Sequence, residues 1–292
     1  MGIGLTEHYS IALNVGRTFI RSALVDDRGH ILPDSFSIFS SKSSDSEELV
    51  LKNLVKIIKF NINSVLQPDF EIHHIGFSLP DYLMTNQQEN WINERKLNFL
   101  LQKEASVKSK LSQNYTFYFE RESYFFALGE HILRKEEYRN QKVIYLVLGT
   151  EMSVTLFDKG NRVFERVQEQ NKILKKHLSA RGIIKIAQTL EINEHDLTPK
   201  KIAEMAVAKN KQAIETYYQF GNYLGNYLIN ILAMYSANEI VIGGNIALSY
   251  PLFESGLKSQ FDREMMLIYP TEHTSYYVFF GLAEYIKRFN DK

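Results

Sequence analysis

One local pattern is written twice in this chain of 292 residues, and it limits the fold more than any other feature. The segment IALNVGRTFIRSALVDDRG, Ile11 to Gly29, alternates apolar and polar residues on both sides of Gly16. It then turns at Asp27-Arg28-Gly29 toward His30-Ile31-Leu32. That is a strand, a glycine turn, a second strand and a hairpin. VIYLVLGTEMSVTLFDKGNRVF, Val143 to Phe164, repeats the layout, with its glycine turn at Gly149 and its hairpin at Asp158-Lys159-Gly160. Gly16 and Gly149 are 133 residues apart, and Gly29 and Gly160 are 131 apart. Separations so nearly equal imply an internal duplication.

The rest of the chain fills in two α/β halves. Ser44, followed three residues later by Glu47, is a capping-box pattern that opens a helix through about Val65. HHIGFSLPDY (His73 to Tyr82) reads as a buried strand ending in a proline turn, and Asn90 to Leu111 as helix. TFYFERES is a strand, and SYFFALGEHILRKEEY (Ser123 to Tyr138) a helix with Phe126, Leu128 and Ile132 on its apolar face. Beyond the second repeat come helices at Ser179 to Leu190, Thr198 to Ala208 and Lys211 to Tyr235, then a buried strand EIVIGGNI (Glu239 to Ile246). Another helix, a short strand near Tyr276 and a final helix Phe280 to Arg288 complete the chain.

In the third of those helices Ile214, Tyr217, Leu224, Leu228, Ile231 and Tyr235 form a core stripe, with Gly221 and Gly225 four apart. Phe220, Tyr223 and Tyr227 form a second, aromatic side available to a partner subunit. The expected fold is α/β, a duplicated actin-like or sugar-kinase (ribonuclease H-like) arrangement of two lobes with a cleft between them. The first lobe is expected at 1–118, completed by a C-terminal helix at 280–292. The second, at 119–279, is expected to carry the contacts of a homodimer.

Composition excludes several chemistries. The chain has no cysteine, so disulfides, thiolate metal sites and cysteine nucleophiles are ruled out. Lys plus Arg and Asp plus Glu number 34 each. Without a net field, at most weak, non-specific DNA binding is expected. No apolar window reaches the roughly 20 residues of a membrane span, and the first residues lack the basic-then-apolar plan of a secretory signal. No membrane association and a cytoplasmic location are expected.

Taken together, LNVGRTFIRSALVDDRG, ESYFFALGE, LVLGT, LSARGIIKIAQ, EIVIGGNI and GLAEYI resemble the ROK family, named for repressors, open reading frames and kinases. The opening is similar to the entry into the effector core of the xylose-type repressors of that family. No DNA-reading domain precedes the core in this sequence, so the chain is expected to be a shortened product or to work without its own DNA reader. The resemblance implies two lobes, dimers or tetramers and, in the kinases, hexose phosphorylation with ATP and Mg²⁺.

It also implies where each part of a site should lie. Asn14-Val15-Gly16-Arg17-Thr18 falls on the first phosphate loop, where the family has Asp-x-Gly-Gly-Thr. Asn14 lacks the charge that would organise a metal, and Arg17 places a side chain where the backbone should approach phosphate. Gly149-Thr150 falls on the second loop, but Glu151 and the residues after it replace a run of glycines. Arg121 and Glu122 fall on the sugar and base position, with Glu122 a vestigial base one methylene longer than Asp and paired with Arg121. Lys175 falls on the sugar-binding Glu, and Ile173 on a zinc-ligating Cys.

No metal site and no zinc are expected, His177 being a lone histidine. Gly243-Gly244 correspond to the residues against the adenosine, and serve equally well for strand-to-helix packing. Because a phosphotransfer site needs all its parts at once, these departures point to a non-catalytic regulator core with no cofactor. It would sense a sugar in degenerate form or, like an antirepressor, bind a protein partner such as a transcriptional repressor. The alternative is an atypical sugar kinase using Glu122, ATP and Mg²⁺.

Overall fold

A computed structural model describes residues 7–16, 19–40, 47–64, 70–79, 107–108, 111, 114–134, 141–164, 177–237, 239–261 and 267–290. The chain divides into two compact units, Met1–Leu133 with Ser275–Lys292, and Arg134–Thr274.

The first unit holds a five-stranded sheet of order β3-β2-β1-β4-β5, built from β1 (Glu7–Val15), β2 (Phe19–Asp26), β3 (Ser37–Ser40), β4 (Phe70–Leu79) and β5 (Thr116–Arg121). β2 pairs antiparallel with β1 and β3, while β1, β4 and β5 run parallel. The second unit holds β6 (Lys142–Leu148), β7 (Met152–Asp158), β8 (Asn161–Phe164), β9 (Glu239–Gly243) and β10 (Leu267–Pro270), in the order β10-β9-β6-β7-β8. Its β6-β7-β8 segment is antiparallel and its β6-β9-β10 segment parallel. Strand for strand the two sheets share one topology, as the duplicated glycine turns require. The hairpin at Lys159-Gly160 has positive φ at both central residues, 50° and 79°, the two-residue turn that suits twisted strands.

Helix α1 (Glu47–Ser64) covers one face of the first sheet, where Leu54, Val55, Ile57 and Ile58 join Ile11, Leu13, Ile75 and Phe77 in the core. The other face carries small residues, Ala12, Ala23 and Gly76, all buried. Against it lie α2 (Glu122–Leu133) and α7 (Thr274–Asn290). A Cβ on Gly76 would overlap Leu282 of α7, and Gly129 and Gly281 bring α2 and α7 to backbone contact. In the second unit α3 (Ala180–Thr189), α4 (Pro199–Val207) and α5 (Lys211–Tyr235) precede β9. A 3₁₀ turn (Asn245–Ser249) and α6 (Tyr250–Lys258) follow it.

Several boundaries differ from the sequence reading. The division lies at Leu133, not 118, because a cut at 118 would sever β5 from its own sheet and from α2. The final helix begins at Thr274 and takes in Tyr276. The β-branched and aromatic run there looks like a strand, but Val278, Phe279, Leu282, Ala283 and Ile286 are buried at helical spacing, and packing overrides propensity. The strand expected near Tyr276 is not there; the strand of this segment is β10, which ends at Pro270. EIVIGGNI leaves the sheet at Gly243, because Gly244 has φ +90°. β3 was not read at all. Ser44 and most of the helix expected at Asn90 to Leu111 lie outside the described residues. On α5, Phe220 and Tyr227 are buried in the unit's own core, so the expected aromatic face is not free for a partner. Gly221 and Gly225 instead admit the backbone of α6 and the residues just beyond it.

One buried ion pair sits in the second unit. Arg134 Nη1 meets Glu239 Oε1 at 2.6 Å, the side chains 8% and 4% exposed, and the guanidinium lies over the Tyr145 ring. Removing Arg134 leaves the buried Glu239 carboxylate, whose Oε2 has no hydrogen-bond partner among the described residues, without its counter-charge. Arg134→Met should therefore lower the stability of this unit by about 3–5 kcal/mol. The double variant Arg134→Met with Glu239→Leu should recover most of that loss, as read by urea unfolding.

Candidate functional site

The pleat of β1 sorts its residues. Tyr9, Ile11, Leu13 and Val15 point into the core under α1, so Ala12 and Asn14 point to the side of α2. Asn14, only 2% exposed, stands at the carboxyl end of β1. Its Nδ2 donates to Oε1 of Glu122, the first residue of α2, at 3.0 Å. The structure thus brings together two residues that the sequence placed in separate parts of a site. A carboxylate in a first helical turn also interacts favourably with the helix dipole.

Opposite Asn14 on β4 stands Ser78. It is fully buried, and its hydroxyl has no hydrogen-bond partner among the described residues. The sequence reading passed over Ser78 because a lone serine in FSLP carries no pattern; only the parallel register places it beside Asn14. Arg121 ends β5, its backbone N–H donating to the Glu120 carboxylate at 2.9 Å.

The glycine turns close on themselves. Gly16 N–H donates to the Phe19 carbonyl at 2.9 Å, and Gly149 N–H to the Glu151 carbonyl at 3.1 Å. Gly149 also accepts from Ala180 N–H at 2.8 Å, while the Ser179 hydroxyl accepts from Gly182 N–H at 3.2 Å. Two amides of the first turn of α3, of the kind an anion would need, are thereby satisfied within the protein. Thr150 and Glu151 are exposed beside this turn.

Gly243 pairs with Val147 at the end of β9. A Cβ on Gly244 would overlap the Leu148 backbone, and its N–H donates to the Thr274 hydroxyl at 2.7 Å. Gly244 is therefore required by the fold, whether or not a nucleotide lies near it. His177 stacks on Tyr223, with ring centroids 4.8 Å apart, and belongs to no cluster of metal-ligating groups among the described residues. Arg17, Thr18, Ile173 and Lys175 lie outside the described residues.

Comparison with known proteins agrees with this architecture. Residues 170–276 match the sequence model of the ROK family. The xylose repressor of Bacillus subtilis (strain 168) is 21% identical over 280 residues, which cover 86% of this chain and 68% of the repressor. A ROK family glucokinase from Streptomyces griseus, solved with glucose and AMPPNP, superposes with a TM-score of 0.71 at 13% identity, covering 95% of this chain and 98% of the glucokinase. A ROK family transcriptional regulator homologous to the E. coli MLC protein gives 0.64 at 14% identity, covering 96% and 79%. The two solved structures establish the sugar-kinase fold of the units. No described helix is long and apolar enough to cross a membrane. The match over residues 170–276, with the repressor relative over most of the chain, shows that the protein is similar to the ROK family.

Proposed function

We propose that this chain is a non-catalytic ROK regulator core that acts by binding a protein partner, as an antirepressor binds a transcriptional repressor. The observation that carries the reading is the Asn14–Glu122 hydrogen bond. A phosphotransfer site would want a carboxylate at position 14 for Mg²⁺ and a free carboxylate base at position 122. At 3.0 Å two carboxylates do not both ionise readily, whereas an amide donor and a carboxylate acceptor fit. The pair is thus complementary to itself rather than to a metal and a sugar hydroxyl. The self-closed turns at Gly16 and Gly149 support the same reading, since their amides already have acceptors. The repressor relative and the balanced charge of the chain fit a regulator that does not hold DNA by itself.

Calorimetry on tag-free protein tests the absence of kinase chemistry. Neither Mg-ATP nor a panel of hexoses and pentoses should give a binding heat, and a coupled assay should show no phosphorylation. Micromolar binding of Mg-ATP together with hexose turnover that Glu122→Gln abolishes would replace this reading with the atypical kinase. Anisotropy with duplex DNA at about 150 mM salt should show no specific binding. A repressor captured from the source cells should, once purified, be released from its operator when the chain is added.

Asn14→Asp tests the electrostatic argument itself. The variant should lose about 2 kcal/mol near neutral pH through paired carboxylates. A carboxyl forced to keep a proton in the folded state has a raised pKa, so the loss should shrink as pH falls toward 5. Adding Glu122→Gln should restore stability at neutral pH by reversing the amide–carboxylate pair.

A further inference from the structure

At the opposite, amino-terminal end of β1 and β4, three side chains converge whose chemistry the site above does not use. His8 Nδ1 lies 3.8 Å from Glu71 Oε2, and His73 Nε2 lies 3.0 Å from the same oxygen. One ligand atom from each of the three falls within 4.8 Å of the others. All three side chains are about half exposed, at 53%, 52% and 55%.

The backbone explains the convergence. His8 stands directly opposite Glu71 in the parallel ladder, and the register then slips by one residue, so that Tyr9 pairs with Ile72 but Ser10 with His74. His73 is the extra residue. The slip is what keeps Ile72 and Ile75, three positions apart, in the same core. It leaves Glu71 and His73 on the face opposite that core, with His8 beside them. Bulges re-aim side chains in this way and are rare between parallel strands. His74 serves elsewhere: its Nε2 accepts from Asn290 Nδ2 at 3.0 Å, and Asn290 Oδ1 accepts from the Tyr118 hydroxyl.

We propose that His8, Glu71 and His73 form a binding site for a divalent transition-metal ion, Zn²⁺ in the first instance, with a fourth position left to water. Two imidazole nitrogens and one carboxylate oxygen are a donor set that suits zinc. Ligand bonds of about 2.0–2.2 Å put tetrahedral donors roughly 3.3–3.5 Å apart. The spacings without metal bracket that range, so side-chain rotations on fixed strands are enough to close the site. Binding replaces the Glu71–His73 contact with two metal bonds and requires His73 Nε2 to give up any proton it carries. At about 3.3 Å per residue, His8 lies roughly 20 Å along β1 from Asn14, so this site is separate from the ROK site. It is also separate from the family's zinc segment, which has no cysteine here.

The experiment is calorimetric titration of tag-free, EDTA-stripped protein with ZnCl₂, and with CoCl₂ as an optical probe. One ion per chain should bind in the micromolar range, and Co²⁺ should show the visible absorption of a four- or five-coordinate site. His8→Ala and His73→Ala should each weaken binding by at least about tenfold, and Glu71→Gln should weaken it too. His74→Ala and His177→Ala should leave it unchanged. These ligands are half exposed, so an unshifted Tm confirms that the variants fold. The proposal is overturned if the parent protein binds no Zn²⁺, if His8→Ala and His73→Ala bind as well as the parent, or if Co²⁺ stays six-coordinate and pale.

Discussion

Everything in the first unit depends on β1 and β4 being buried on both faces over their carboxyl-terminal stretches, Ser10–Asn14 and Ile75–Leu79. A parallel strand pair with helices on either side has no wet face to spare, so its side chains divide between two packed layers. On the α1 side the layer is built from large residues such as Ile11, Leu13, Ile75 and Phe77. On the other side α2 and α7 come so near that Ala12, Ala23 and Gly76 are what fits, with Gly129 and Gly281 admitting each other's backbone. A polar side chain on that second face has no water to turn to, and burying it without a protein partner is costly. Asn14 stands there, and Glu122 is what it finds.

Burial therefore gives the Asn14–Glu122 bond more weight than an equal contact at the surface. A hydrogen bond to a charged group away from bulk water contributes about 1.5–3 kcal/mol, and leaving either member unpaired costs at least as much. The bond also fixes the first residue of α2 to the carboxyl edge of the sheet, the edge where open α/β sheets hold their ligands. The carboxylate that could act as a base is the carboxylate that holds the helix.

Much of the fold was legible because it was written in period and repetition. The Gly16 and Gly149 turns, the Lys159-Gly160 hairpin and the long α5 stripe each announce themselves locally, whereas the strand expected at His30 to Leu32 is only an isolated bridge from Ile31 to Val25 and β2 pairs with β3 instead. What was not legible depends on register. Nothing in the sequence pairs Asn14 with Glu122, more than a hundred positions apart, until β5 delivers α2 beside β1. Ser78, opposite Asn14, is found the same way. His8 and His73 share a face only because the register slips after Tyr9, and the sign of that slip in the sequence is the broken alternation between Ile72 and Ile75. The early start of α7 escaped for a different reason: Tyr276 to Phe280 favours a strand by composition and becomes helical only through burial of every third or fourth residue.

The two carboxyl-edge turns differ from the family pattern by different means. At Asn14 the change is in a side chain, one amide where the family has an acid. At Gly149 it is in the backbone: the amide bonds Glu151, the carbonyl bonds Ala180, and the glycines that would let the loop open are missing. Gly244 shows the converse. It is held by the Leu148 backbone and by the Thr274 hydroxyl, constraints of the fold alone, and it stays glycine whatever became of the site around it.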